Sequence, residues 1–368
     1  LSALNAISYT MLAFGLYMLF KSYLVYLYIV NRVKTKQELN WLMLWLLVGL
    51  SFQGFLGIVQ YTTGSSLGLE FLGAQAKTRL AGVTRVRGTI GYPNQFGAWL
   101  ALLIPMASSL FILEVKSKKK LLYALVTFLG VMGLLLSFSR SAWAGLIGSS
   151  GIFIILLAIK GLLRARYVLT IMVVLIAVTA LIVGFWDTIM LRFETGATGK
   201  FRLIMVDIAA DIIRDNLMVG VGLMNYKFHS IEHFRFWHPV HNTYLRLAAE
   251  TGIPGLLFFL TLVGVSMREA YAMLRCKDRY LFSVALGSLC SIWAFLFLVN
   301  FGPEYQHYRI KFLFWLVIGV IFSLRRIYKN ELEAKKRLMQ QPQKITTIPT
   351  VPNQTQAPFY PQAHGGRR

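Results

Sequence analysis

The sequence predicts an all-α polytopic membrane protein, on three observations. More than half of its residues (56%) are hydrophobic, and the mean hydropathy is +0.59. Apolar runs of about 18 or more residues recur along the chain, the length needed to cross a bilayer core. Short basic loops separate many of these runs, as expected where Lys and Arg collect on the cytoplasmic side. The net charge of +23 is therefore read first as topology and not as nucleic-acid binding.

About nine transmembrane segments are expected, near 8–30, 41–60, 93–113, 121–138, 142–159, 167–189, 254–273, 280–301 and 310–325. Loops 31–40, 114–120, 160–166 and 274–279 are short and basic, and so is the start of the tail at Arg325, Arg326 and Lys329. They alternate onto one side, which the positive-inside rule makes cytoplasmic. Residues 1–189 then carry six spans and an outer loop at 61–92. Residues 190–253 form a large helical extracytoplasmic loop, and 254–326 add three spans. Residues 327–368 make a cytoplasmic tail, basic at first and then disordered, being rich in Gln, Pro and Thr. The odd span count puts residue 1 outside, which points to further helices upstream. Cys276 and Cys290, about 20 Å apart along a helix, cannot form a disulfide.

The basic residues differ in kind between the two sides. Leaving out the far tail, the inner side holds eleven Lys and nine Arg, and the outer side four Lys and ten Arg. Topology alone does not favour arginine outside. A guanidinium fork matches phosphate or carboxylate bidentately, whereas Lys acts as a point charge. An anionic ligand, plausibly a phosphate, is one reading; snorkelling to lipid headgroups is the other.

Several stretches carry candidate chemistry. At the entry to the third span, Gly91-Tyr92-Pro93-Asn94 marks a turn. Asn94 is there either to cap the helix or to bind a sugar hydroxyl. Arg140 in Ser139-Arg140-Ser141 is the one charge in the apolar run from Leu121 to Ile159, and a charge so close to hydrocarbon faces protein or a wet cavity. Lys200 to Asp215 reads as an amphipathic helix whose apolar face (Phe201, Ile204, Met205, Ile208, Ile212) is expected to lie on the membrane. Arg202, in its first turn, sits where a helix N-terminus also favours an anion. His229-Ser230-Ile231-Glu232-His233 matches the H-x-x-E-H spacing of some zinc peptidases, but lacks a clean third ligand and reads better as a surface helix, so no metal site is assigned. The longest polar stretch ends in Trp237-His238-Pro239-Val240-His241-Asn242. A helix with Tyr244, Leu245, Ala248 and Ala249 at helical spacing follows, stops at Gly252 and restarts at Pro254 and Gly255 as a span.

In this order the motifs resemble those of the O-antigen ligase and polymerase superfamily. The likeness rests on Gly91-Tyr92-Pro93-Asn94, Ser139-Arg140-Ser141-Ala142-Trp143, Phe201-Arg202 and Gly220-Val221-Gly222. Its most specific part is His241-Asn242-Thr243-Tyr244-Leu245 with Glu250-Thr251-Gly252-Ile253-Pro254-Gly255. The resemblance covers roughly residues 85 to 325. It implies a multi-span inner-membrane enzyme that takes glycans from undecaprenyl pyrophosphate on its outer, periplasmic face. The acceptor is a lipid A core, a growing glycan or a protein hydroxyl, as in lipopolysaccharide and other cell-envelope polysaccharide biosynthesis. It further implies that His241 is the catalytic histidine and that Arg140 and Arg202 bind the donor pyrophosphate. His238 offers a second imidazole as the alternative base. Asn94, Asn242 and Glu250 are possible supporting residues, and no cofactor is called for.

Elementary chemistry agrees. A pyrophosphate leaving group must be held and neutralised, by arginine or a divalent metal, and the outer loops lack a paired-carboxylate metal motif. An acceptor hydroxyl needs a base near neutrality, which suits imidazole. Neighbouring arginines disfavour its charged form and so keep it able to accept a proton. A single displacement inverts the anomeric centre. The competing reading is a carrier for a small anion such as bicarbonate. A carrier would place charge near the bilayer midplane, whereas here the polar residues cluster at the outer surface and the spans hold few charged side chains.

Overall fold

A computed structural model describes residues 2–74, 78–80, 83–163, 198–235 and 240–340. The expected span 167–189, Trp237-His238-Pro239 and the tail beyond 340 lie outside these residues. The chain divides into two units, Leu1–Lys329 and Asn330–Arg368.

The described elements are almost all helical. In order they are α1 (Tyr9–Arg32), α2 (Lys36–Thr63), a two-stranded antiparallel ribbon (β1, Thr78–Leu80; β2, Val83–Arg85), α3 (Pro93–Leu113), α4 (Ser117–Leu136) and α5 (Arg140–Ile159). Then come α6 (Thr198–Asp215), α7 (Tyr226–Phe234), α8 (Thr243–Met273), α9 (Arg279–Leu298) and α10 (Tyr308–Gln340). Seven of them (α1 to α5, α8 and α9) are long and apolar enough to cross a membrane, as the composition required. In α10 the apolar stretch is bracketed by Arg309 and Lys311 at one end and by Arg325 and Arg326 at the other. This helix continues past 326 to Gln340, and its last turns are the described part of the second unit.

In the first unit α3 and α9 form the centre, each with 83% of its apolar window buried, while α1 is peripheral at 17%. Lipid supplies no hydrophobic drive between spans, so close backbone approach and hydrogen bonds do this work. Ser291 Oγ of α9 donates to Leu102 O of α3 at 2.5 Å, and Gly287 lies against Pro105 and Met106. Between α2 and α4, Gly54 faces the backbone of Leu129 and Gly130 so closely that a Cβ has no room. Two buried glutamines of α2 turn inward. Gln53 exchanges hydrogen bonds with Thr89 (N at 3.1 Å, Oγ1 at 2.5 Å) and Gln60 with Gly88 (2.9 and 3.1 Å). They clamp the turn leading into α3 onto the bundle.

The basic loops gather at one end. Lys36 Nζ pairs with Asp278 at 2.6 Å, Arg325 reaches Glu269, and Arg326 donates to the carbonyls of Val30 and Val33. The opposite end carries the entry to α3, the α4–α5 hairpin, the starts of α6 and α8, and the α9–α10 connection.

The α6 helix forms as expected, but Met205, Ile208 and Ile212 of its apolar face are covered by protein. Met205, Ile208, Ala209 and Ile212 pack with Val221, Tyr226, Val240 and Ala249 into a separate small core. Leu203, Ile204 and Val206 remain exposed. The loop has apolar partners of its own, and burial against them removes the same side chains from water that a bilayer would have covered.

Candidate functional site

The break in α8 positions the site. Gly252 has φ 73° and ψ 174°, a left-handed backbone that suits glycine, and Pro254 follows it. The break frees carbonyls, and the Gly220-Val221-Gly222 strap takes them up. Val221 N donates to Ala249 O at 2.8 Å, Gly222 N to Glu250 O at 2.9 Å, and Ile253 N to Leu217 O at 2.8 Å. Gly220 and Gly252 press so closely on the opposing backbones that neither has room for a side chain. These two glycine motifs are thus one joint. It sets the short helix 243–251 at an angle to the helix beyond it and braces residues 217–222 on that helix.

His241 stands half-buried immediately before this short helix. Val240, before it, is buried against Tyr226 of α7. Asn242, after it, is the N-cap: its Oδ1 accepts from Leu245 N at 3.0 Å and its Nδ2 donates to Asn300 O at 3.3 Å. Thr243 is fully buried; its N donates to Val299 O at 2.9 Å and its Oγ1 to Gly302 O at 3.1 Å. The histidine is therefore fixed between α7 and the α9–α10 connection. Asn242 serves this placement, as capping predicts.

The same connection reaches the arginines. Its 3-10 turn, Glu304–Gln306, places Glu304 Oε1 3.5 Å from Ser141 Oγ, which donates to it. Ser141 Oγ lies 3.2 Å from Ser139 Oγ, and Ser139 caps α5 by accepting from Ala142 N. Arg140 is the first residue of α5. Arg202, from the first turns of α6, lies within electrostatic range of both Arg140 and Glu304. Burial, and then repulsion from Arg140, lower its hold on its proton, and Glu304 opposes them. Its Nε is buried with no hydrogen-bond partner among the described residues. Two guanidinium groups from separate elements thus converge where helix α5 begins. A helix N-terminus adds its own preference for an anion, so the arrangement suits a phosphate or diphosphate.

The other expected residues take different places. Asn94 does not cap α3; Tyr92 occupies that position, and Asn94 Oδ1 accepts from Arg85 Nη2 at 2.6 Å. Arg85 is buried and also donates from Nε to Ser137 O at 2.8 Å, so Asn94 helps lock the α3 entry to the α4–α5 hairpin. Glu250 is fully buried and pairs with Arg246 Nε at 2.8 Å, one turn back on the same helix. His229 and His233 share one face of α7, with rings stacked at 5.4 Å. His229 Nε2 lies 2.9 Å from Asn5 O and His233 Nδ1 3.2 Å from His229 O. Among the described residues, no three His, Cys, Asp or Glu side chains gather to hold a metal ion. His238 falls outside the described residues.

Sequence reasoning missed Glu304 and His307. Glu304 is the only acidic residue between Asp278 and Glu331, a signal visible in the sequence. Burial raises its carboxyl to about 7, against its own backbone N–H, Ser141 and Arg202. Burial, with Arg246 and Lys311, lowers His307 to about 4.

Fold and site together define a multi-span membrane protein with two arginines and a histidine brought to one end of its helix bundle. Residues 125–260 match the family model described as O-antigen ligase, which bears out the resemblance to that superfamily. The match takes in Arg140, Arg202, His241 and both glycine motifs, and stops short of Glu304. No curated protein matches the chain.

Proposed function

We propose that the protein is a glycosyltransferase that moves a glycan from undecaprenyl pyrophosphate to an acceptor hydroxyl, with inversion and without a metal ion. The convergence of Arg140 and Arg202 beside the connection that also seats His241 is the observation that carries this reading. The arginines hold the pyrophosphate and neutralise the charge that develops as the glycosidic C–O bond breaks. His241 takes the acceptor proton as the hydroxyl oxygen attacks the anomeric carbon. The acceptor is a lipid A core, another glycan or a protein. The test is transfer by purified protein from a lipid-linked glycan in the presence of a chelator. Transfer should continue unchanged, and should survive the double change His229→Ala, His233→Ala. Loss on chelation, restored by zinc, would move the chemistry to a metal.

The reading places this end of the bundle on the outer, periplasmic face of the bacterial inner membrane, with the C-terminus in the cytoplasm. The gathering of basic loops at the other end supports that orientation. In a background lacking the buried Cys276 and Cys290, a cysteine at Lys118 should be shielded from an impermeant thiol reagent in whole cells. One at Lys200 should be labelled. The opposite pattern would turn the protein over and place the site in the cytoplasm.

A further inference from the structure

Glu304 is an ionisable group for which the transfer chemistry above has no use. It is 2% exposed. Its neighbour Tyr305 anchors the turn in a ring cluster with Phe259 of α8, Phe295 of α9 and Phe314 of α10, at centroid distances of 5.3, 5.7 and 5.6 Å. The carboxyl folds back over Gly302, where no side chain would fit. One oxygen takes the Ser141 hydroxyl; the other is buried with no hydrogen-bond partner among the described residues.

A buried carboxylate is costly without a counter-ion. Among the described residues, the cation facing Glu304 is Arg202 from α6, with Arg140 of α5 in electrostatic range of Arg202. Of the other elements packed on the turn, α3 carries no charged side chain. In the outer half of α8, Arg246 and Glu250 pair with each other, and His241 precedes that helix. Farther along its own connection, His307 stays neutral above about pH 4, and Arg309 is engaged with Ile90 O. A diphosphate diester brings about two negative charges, and like charges in one site disfavour ionisation of the weaker acid. A diphosphate held by Arg202 therefore favours protonation of the Glu304 carboxyl.

We propose that Glu304 is a proton-coupled counter-ion for the arginine pair: ionised, it neutralises Arg202, and it takes one proton from solvent when a diphosphate lies on Arg140 and Arg202. The inference rests on the reading of those arginines as the diphosphate site. Glu304 is a positioning residue, acting on the donor through Arg202. A carboxyl held near neutrality by burial can exchange its proton at working pH. The sign follows from linkage: where binding takes up a proton, affinity weakens as pH rises, by at most about tenfold per pH unit for one proton.

The experiment is calorimetric titration of the full chain in detergent with undecaprenyl pyrophosphate, in buffers of different protonation enthalpy, for wild type and Glu304→Gln. Protons taken up by the ligand's own phosphate cancel in this comparison. Wild type should take up more protons than the variant at pH 7.5 and lose affinity more steeply between pH 7 and 8.5, while the variant binds more tightly than wild type at pH 8. Ser141→Ala removes a donor to the ionised carboxyl, so the wild-type pH midpoint should move upward; this keeps the test open if Glu304→Gln does not accumulate. Equal proton counts and parallel pH profiles, or an unmoved midpoint in Ser141→Ala, would reduce Glu304 to a structural role while leaving the arginine site standing. Failure of wild type and variant alike to bind would overturn the arginine site and this inference together.

Discussion

Replacing His241 by alanine is expected to abolish transfer while leaving a membrane-inserted protein that binds donor. Its neighbours in the chain fix the backbone at this position. Val240 is buried against Tyr226, Asn242 caps the following helix, and Thr243 is bonded to Val299 and Gly302. His241→Ala leaves these contacts in place, so folding should survive. Loss of a general base typically costs about a hundred- to ten-thousandfold in rate. The measurement is transfer by purified enzyme at saturating donor from pH 5 to 9. Wild-type activity should fall toward the acid side as the base becomes protonated. His238→Ala should retain substantial activity. A dead His238 variant beside a normal His241 variant would transfer the role to His238; two active variants would remove the base from this motif.

Much of the fold was legible because lipid imposes long apolar segments, and these survive as runs in the sequence whatever their packing. The break at Gly252 was legible too, since Gly followed by Pro inside an apolar pattern has few other readings. The joint between that break and Gly220-Val221-Gly222 was not. It pairs backbone groups some thirty residues apart, and backbone hydrogen bonds leave no trace in side-chain pattern. The protein cover over part of the apolar face of α6 was not legible for a related reason. Periodicity shows that Met205, Ile208 and Ile212 share a face, but not whether lipid or Tyr226 and Val240 cover it. Arg140 and Arg202 stood out one by one, as charges at unusual places. Their convergence, and the part of Glu304 in it, depends on three chain segments meeting, which a linear reading does not contain.

The arginine pair gives the second large effect. Arg140→Lys and Arg202→Lys should each lower donor kcat/KM by about tenfold or more, with little loss of protein in the membrane. Lysine keeps the charge but presents a point donor where the guanidinium presents a planar fork. A charge-assisted hydrogen bond contributes about 1.5–3 kcal/mol, so losing one from the fork matches a loss of that size. Arg202 should be the more sensitive, because its Nε is buried and lysine has no donor at that position. Lysine there also leaves Glu304 with a differently placed counter-ion. If both side chains grip one diphosphate, the double variant should depart from the product of the single losses, since neighbouring groups on a shared ligand couple. Kinetics at saturating acceptor separate the cases: a rise in donor KM at constant kcat marks lost ground-state binding, and a fall in kcat marks lost stabilisation of the leaving group. Lysine variants with wild-type donor kinetics would show both residues to be anchors for lipid headgroups, and the pyrophosphate would then have to be held elsewhere.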